Sequence, residues 1–278
     1  MNITKKLLAA SLLLLPLGGG WEGAFAQKAP STVTIVCSQG LLGPELWDRH
    51  ELPVDKKGFF PIFDGKTFAG WRGYGKNYIP SKWKIEDGCI HLDSKAKGEG
   101  GDIIFAHRFG PDFEFEMEWK IAEGGNSGIF YLGQETINPD ATGLEPIYIS
   151  CPECQVLDNE RHPDAKLGKD NNRQAGSLYD MIPAKPQNAK PAGQWNKVRV
   201  RVQGGTVTHF QNDVQVLQYK LWTPEWTRLL QESKFSEKAW PAAFRLLNNC
   251  GGPEHKGFIG MQDHGDDVWY RNIKVKEL

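Results

Sequence analysis

The chain has 278 residues, and its 33 lysines and arginines are balanced by 34 aspartates and glutamates. That near-neutral balance excludes the basic field of a nucleic-acid binder and gives no pull towards an anionic membrane surface. The length sits near the upper end of what one β-rich domain uses.

The N-terminus is the one strongly apolar stretch. MNITKK is a short basic start, LLAASLLLLPLGGG is an apolar run broken by Pro16 and three glycines, and AFA at 24–26 has a small-x-small cleavage pattern. The run is too short to span a bilayer, so no transmembrane segment is expected. It has the parts of a secretory signal peptide over residues 1–26, which implies export to the periplasm or cell surface. Residues 27–58 are mixed and turn-rich, and read as a lead-in segment. Residues 59–278 read as one domain.

From Phe59 onward the pattern is strands. Short candidates are WKIED, GCIHL and DIIFA, followed by DFEFEMEWKIA at 112–122. There Phe113, Phe115, Met117, Trp119 and Ile121 fall on one face, and Glu114, Glu116, Glu118 and Lys120 on the other. That alternation marks a half-buried antiparallel strand. SGIFYLG follows. WNKVRVRVQ at 195–203 repeats the alternation with Val198, Val200 and Val202 inward. GTVTHFQNDVQVLQYK at 205–220 reads as two strands around an Asn212-Asp213 turn. TPEWTRLLQESKF at 223–235 is the one helical segment, with Thr223 as N-cap and Pro224 in the first turn. GFIGMQD and VWYRNIKVKEL close the chain as strands. Many short strands with one inserted helix imply an all-β sandwich of two antiparallel sheets.

The stretch CPECQVLDNERHPD at 151–164 crowds two cysteines, four acids, a glutamine and a histidine together. Read as a strand, 153–157 puts Glu153, Gln155 and Leu157 on one face and Cys154 and Val156 on the other. Val156 marks the second face as core. Cys151 and Cys154 then lie roughly 10 Å apart along an extended chain, beyond the about 7 Å that a disulfide tolerates. A zinc ribbon would need a second C-x-x-C or a histidine pair at ligand spacing, and neither is present. The cysteines are bystanders, and the flanking acids and amides carry the interest.

Several long motifs resemble the 3-keto-disaccharide hydrolase domain family, in that family's order. They are FPIFDGKTFAGW, GGNSGIFY, ECQVLDNERHPDAKLGKDNNRQAGSLYDMIP, GQWNKVRVRVQGGTVTHFQNDVQVLQY, LWTPEWTRLLQESKF and GFIGMQDHGDDVWYRNIKVKEL, together covering about residues 59–278. Cys154 departs from the family, which more often has an aromatic there. The resemblance implies a concanavalin-like jelly roll with one sheet curved around an open groove. It also implies an exported bacterial enzyme acting on oligosaccharides or glycosides that carry a 3-keto group.

In such a groove the alternation assigns a site. Glu153 and Gln155 point outward on their strand, and Gln262 and His264 share a face with Gly260 on theirs. Asp158 and His162 follow the first strand in a loop, and Asp263 stands at the end of the second. Arg173 and Tyr179 are expected as substrate contacts, and His209 as a groove residue sharing a face with Val207 and Gln211. Trp71 and Trp240 are expected to be exposed for stacking on sugar rings, and Trp119 and Trp195 to be core. An acid, amides and imidazoles suit a ligand whose hydroxyls need both donors and acceptors.

A 3-keto sugar has an acidified C2 proton. Its removal, elimination at C1 and addition of water give net hydrolysis. That route needs a base, an enolate stabiliser and an acid, not the spaced carboxylate pair of ordinary glycosidases. Glu153 is expected as base or metal ligand, and His264 as proton donor or metal ligand. The stabiliser is either a divalent metal ion or the Gln, Arg and His donors alone, and at this level both stand. The rival reading is a non-catalytic carbohydrate-binding module on the same fold. No dinucleotide or flavin motif supports an oxidase.

Overall fold

The computed structural model describes residues 32–38 and 47–278; the N-terminal apolar run and its cleavage pattern lie outside the described residues. Strands β1 (Thr32–Ser38) and β2 (Trp47–Pro53) pair as an antiparallel ribbon in the lead-in segment. The sequence reading gave that segment no strands, although TVTIVCS alternates and turns Ile35 and Cys37 into the core. Five strands form one sheet: β4 (Trp71–Gly73), β7 (Ile103–Phe109), β9 (Asn126–Gly133), β10 (Glu153–Leu157) and β14 (Gly257–Met261), in the order β10-β9-β14-β7-β4. Eight form the other. They are β3 (Phe60–Pro61), β5 (Trp83–Glu86), β6 (Cys89–Leu92), β8 (Phe113–Ile121), β11 (Asn196–Gln203), β12 (Thr206–Gln211), β13 (Val214–Lys220) and β15 (Val268–Glu277). All these strands pair antiparallel. The sandwich of two antiparallel sheets expected from the alternation, and the jelly roll implied by the family resemblance, are the architecture found.

The core fills the space between the sheets. Phe115, Met117 and Trp119 of β8 and Val198, Val200 and Val202 of β11 meet Phe105 of β7, Ile129 of β9, Val156 of β10 and Met261 of β14. Burying side chains of this size contributes about 1.5–3 kcal/mol each. On the solvent face of the larger sheet the alternate positions pair charges, as in Lys274 to Glu116 at 2.5 Å and Arg271 to Glu118 at 2.7 Å. The β12–β13 hairpin turns through Asn212 and Asp213 with φ of 50° and 65°. Two left-handed residues in a two-residue loop match the twist of the flanking strands.

Two helices are present where one was expected. Helix α1 (Pro224–Gln231) starts at Thr223, whose Oγ1 accepts from the Trp226 N–H at 3.3 Å. It ends before Lys234 and Phe235, which therefore lie in a loop. Helix α2 (Pro241–Asn248) has Trp240 at its N-cap with no side-chain cap bond. Its only start signal is Pro241, which explains why it was overlooked. No helix among the described residues is long and apolar enough to cross a membrane.

Three placements correct the sequence reading. Trp71 is buried, and its indole N–H donates to the Ile62 carbonyl at 2.6 Å. Trp195 is only half-buried, with the Arg271 guanidinium 3.9 Å from its ring. His209 does not face the groove. It is fully buried between the sheets, with Nδ1 3.0 Å from the Gly176 carbonyl and Nε2 2.7 Å from the Tyr131 hydroxyl. Alternation places His209 beside Val207, but that face of β12 looks inward. A carbonyl can only accept, so Nδ1 carries the proton and Nε2 accepts from Tyr131, whose oxygen in turn accepts from the Tyr219 hydroxyl at 2.6 Å.

Burial pushes the His209 imidazole down to about 4. The unfolded chain, with a histidine near 6.5, binds a proton that the native state refuses. The stability this group contributes is therefore complete above about pH 6.5 and is lost as pH drops towards 4. Between pH 7 and 5 the wild type is expected to lose roughly 2 kcal/mol from this group. His209→Gln should be less stable at pH 7 and lack that decrement, as read by urea unfolding at the two pH values.

Candidate active site

The outer face of the five-stranded sheet is divided in two. A small apolar cluster of Ile104, Phe130, Ile147, Cys151 and Phe258 covers one part. The other part is a polar cleft of about 310 Å³ lined by Asn126, Tyr148, Glu153, Gln155, Tyr179, Lys234, Phe235, Trp240, Gln262 and His264. All five cysteines are buried, and Cys89, Cys151, Cys154 and Cys250 carry free thiols. Cys154 lies in the core between the sheets and Cys151 in the outer cluster, so the two point to opposite sides as the alternation requires.

Register builds the floor. Gln155 of β10 lies opposite Gly128 of β9, and the Gln262 N–H donates to the Gly128 carbonyl. Glu153 lies opposite Phe130, which pairs in turn with Gly260 of β14. β10 ends the sheet, but its outer edge is not bare. The Gln155 N–H donates to the Ser177 carbonyl, the Gly176 N–H to the Gln155 carbonyl and the Tyr179 N–H to the Glu153 carbonyl. The backbone that carries Glu153 is thus held on both sides.

Gly128 makes room for the carboxylate. A Cβ there would come within 2.7 Å of the Glu153 Cδ. The backbone at 128 is not left-handed, so Gly128→Ala has no torsional penalty and acts only by displacing Glu153. We expect it to fold and to lower kcat at least about tenfold with a smaller change in KM, since small misplacements of a reacting group are costly. Steady-state kinetics on a cleaved substrate read this out.

Glu153 is 7% exposed. Among the described residues no donor reaches its carboxylate, so no hydrogen bond offsets the loss of water. Burial pushes it up to about 8, against the pull of the Lys234 ammonium and with a further push from Asp102 and Asp164. Desolvation lowers the Lys234 ammonium in turn, while Glu153 and Asp180 oppose that. Lys234 lies at the rim, with Nζ 4.2 Å from the Tyr179 ring. Two amides on the floor keep unpartnered atoms. Gln155 Nε2 is a donor and Asn126 Oδ1 an acceptor, in side chains 1% and 4% exposed. Buried orphans of this kind are rare in native proteins, and a sugar hydroxyl can satisfy either one. Tyr148 and Trp240, edge to face with centroids 6.1 Å apart, supply an aromatic wall.

Of the residues expected at the site, Glu153, Gln155, Tyr179, Gln262 and His264 line the cleft. Asp158 does not. Its carboxylate accepts from the backbone N–H groups of Gly124, Glu160 and Arg161. Partial burial works against it, yet those bonds hold its carboxyl below the usual range. Asp263 is likewise spent on the loop, accepting from the N–H groups of Gly101 and Gly265. Arg173 pairs with Asp164 at 2.7 Å and Asp180 at 2.5 Å, and Asp164 also takes the Tyr179 hydroxyl at 2.9 Å. Arg173 therefore braces the cleft wall from behind.

His162 lies outside the cleft lining. Its Nδ1 accepts from the Asp164 N–H at 3.1 Å and caps the short turn Pro163–Lys166. It is brought beside His264, with ring centroids 6.1 Å apart. Asp266 joins them, and the three offer ligand atoms within 4.8 Å of one another. Glu153 is not part of this group, so the metal-ligand candidates Glu153 and His264 are separated. Sequence reasoning missed Lys234, Tyr148 and Asn126. Lys234 follows a helix that reads only as packing, Tyr148 sits in a short turn, and Asn126 looks like part of a glycine-rich turn.

Residues 58–276 match the model of the 3-keto-alpha-glucoside-1,2-lyase-like domain. The chain is 61% identical over 280 residues to a 3-keto-disaccharide hydrolase of Bacteroides thetaiotaomicron, an alignment covering 98% of this chain and 96% of that protein. A crystal structure of a candidate glycosyl hydrolase from Parabacteroides distasonis shares the fold with a TM-score of 0.64 and 26% identity, over 80% of this chain and 94% of that one. A second from the same organism, 24% identical, has a TM-score of 0.58 over 79% and 99% of the two chains.

Proposed function

The chain belongs to the 3-keto-alpha-glucoside-1,2-lyase-like domain family, and from that premise we propose that it cleaves 3-keto-disaccharides and related 3-keto-glycosides, with Glu153 removing the C2 proton. A glycoside-cleaving enzyme with a carbohydrate substrate is the coarse part of this reading, supported by the relative named for hydrolysis of 3-keto-disaccharides. One observation carries the finer part. Among the described residues, Glu153 is the only carboxylate lining the cleft. Ordinary glycosidases flank the scissile bond with two carboxylates. A single buried carboxylate of raised pKa instead fits abstraction of a proton made acidic by a neighbouring carbonyl.

The steps balance as follows. Glu153 takes the proton from C2, and the electron pair forms an enolate with its charge on O3. The Lys234 ammonium stabilises that charge. The enolate collapses, the C1–O bond breaks, and His264 at the cleft mouth protonates the departing oxygen. The sugar left behind is a 1,2-unsaturated 3-ketone. Water then adds at C1, its displaced proton passes to the His264 imidazole, and Glu153 returns its proton to C2. Release before the water step makes the reaction a lyase reaction; release after it makes it a hydrolysis. Gln155, Gln262 and Asn126 hold the hydroxyls, and Tyr148 and Trp240 cover the ring's C–H face. Export is part of the proposal and rests on the N-terminal apolar run alone; cell fractionation of the producing bacterium tests it.

The deciding experiment incubates purified protein with 3-keto-trehalose and, in parallel, with trehalose. Cleavage of the keto sugar only is the expected result. Binding of both without cleavage would replace the enzyme by a carbohydrate-binding module.

A further inference from the structure

At the mouth of the cleft stands a constellation that the steps above use only in part. His162 comes from the turn after β10, and His264 and Asp266 come from the β14–β15 connection. They converge with ligand atoms within 4.8 Å of one another. We propose that these three side chains bind one divalent first-row transition ion, of the manganese, cobalt or zinc class, with its open positions towards the cleft.

The donor set gives the class of ion. Two imidazoles and one carboxylate suit borderline ions, whereas calcium and magnesium take oxygen ligands almost throughout. Three protein ligands on one side leave positions for substrate oxygens. On the reading given under Proposed function, those would be the departing oxygen and a neighbouring hydroxyl, and His264 would then act as ligand in place of proton donor.

Asn126 ties the ligands to the floor. Its backbone N–H donates to Asp266 Oδ2 at 3.0 Å, which fixes one carboxylate oxygen and leaves Oδ1 free to ligate. Its side-chain Nδ2 lies 3.4 Å from His264 Nε2. Its own Oδ1 is buried and unpartnered. Outer contacts of this kind orient metal ligands.

His162 adds a signature. Its Nδ1 accepts the Asp164 N–H, so the neutral ring carries its proton on Nε2. Ligation through Nε2 requires that proton to move to Nδ1, and Nδ1–H can no longer accept from Asp164. Ion binding must therefore break the cap and change the environment of the Asp164 amide. Because the Asp164 carboxylate holds Tyr179 and Arg173, the change reaches the cleft wall.

The test is binding, measured without substrate. Full-length protein stripped by chelator is titrated with Mn²⁺ and with Zn²⁺ by calorimetry, and its amide NMR spectrum is recorded. One equivalent should bind, and the Asp164 amide should shift. His264→Ala, Asp266→Asn and His162→Ala should each weaken binding at least about tenfold, since even outer-shell losses cost that much. Absence of saturable binding, or equal binding by all three variants, overturns the proposal. If no ion binds and 3-keto-trehalose is still cleaved, the ion site fails while the enzyme reading stands. If the ion binds as described and no keto sugar is cleaved, the site stands and the enzyme reading fails.

Discussion

Glu153→Gln is expected to fold and to lose turnover of 3-keto-disaccharides by at least about 100-fold, the lower end for removal of a positioned proton-transfer group. The amide keeps the shape of the carboxylate and cannot accept the C2 proton. The wild-type pH profile carries the same information. A base must be ionised to act, and burial holds Glu153 at about 8. The value of kcat/KM should therefore rise with pH and level off above about 8. A profile that falls through the same range would make Glu153 the acid. Stability runs the other way. With a native pKa above the unfolded 4.5, the native carboxyl holds a proton that the unfolded one has released. Wild-type stability is then lost as pH rises from about 4.5 to 8. The Gln variant should be more stable than wild type above pH 8, and that advantage should shrink towards pH 5. Thermal melts at three pH values decide this, and an advantage independent of pH would remove Glu153 as its source.

Lys234→Met is the second large effect. The methionine keeps an apolar stem over the Tyr179 ring but removes the cation. Loss of one group that stabilises a developing oxyanion costs about 100-fold in kcat, and that is the expected loss. The ammonium also favours the ionised form of Glu153. Its removal should therefore move the rise of kcat/KM to higher pH. A reduced rate with an unmoved profile would leave Lys234 at the enolate but uncouple it from the base. An unchanged rate and profile would remove it from both roles.

Glu153 and Gln155 were legible because Cys154 and Val156 alternate with them, and a strand offers only two faces. Gln262 was legible from Ile259 and Met261 by the same logic. His209 obeys the same logic. Val207 shares its face as Val156 shares that of Cys154, and by that rule His209 looks inward; the groove placement gave the imidazole's polarity more weight than its apolar neighbour. Asp158 and Asp263 were misplaced for another reason. A carboxylate at a strand end serves a loop's N–H groups as readily as a ligand, and sequence does not separate the two. Lys234 and Tyr148 reach the cleft through tertiary packing of α1, α2 and the turn at 147–149, which no local pattern encodes.

The strand that bears Glu153 is the last in its sheet, yet Ser177, Gly176 and Tyr179 take up its outer hydrogen-bonding positions. A bare terminal strand is a template for another chain and a seed for aggregation. Here the segment that steadies Glu153 also denies that edge to a second molecule. Substitutions that loosen 174–182 should therefore cost solubility as well as turnover, and the protein should tolerate crowding where a sandwich with an open edge would polymerise.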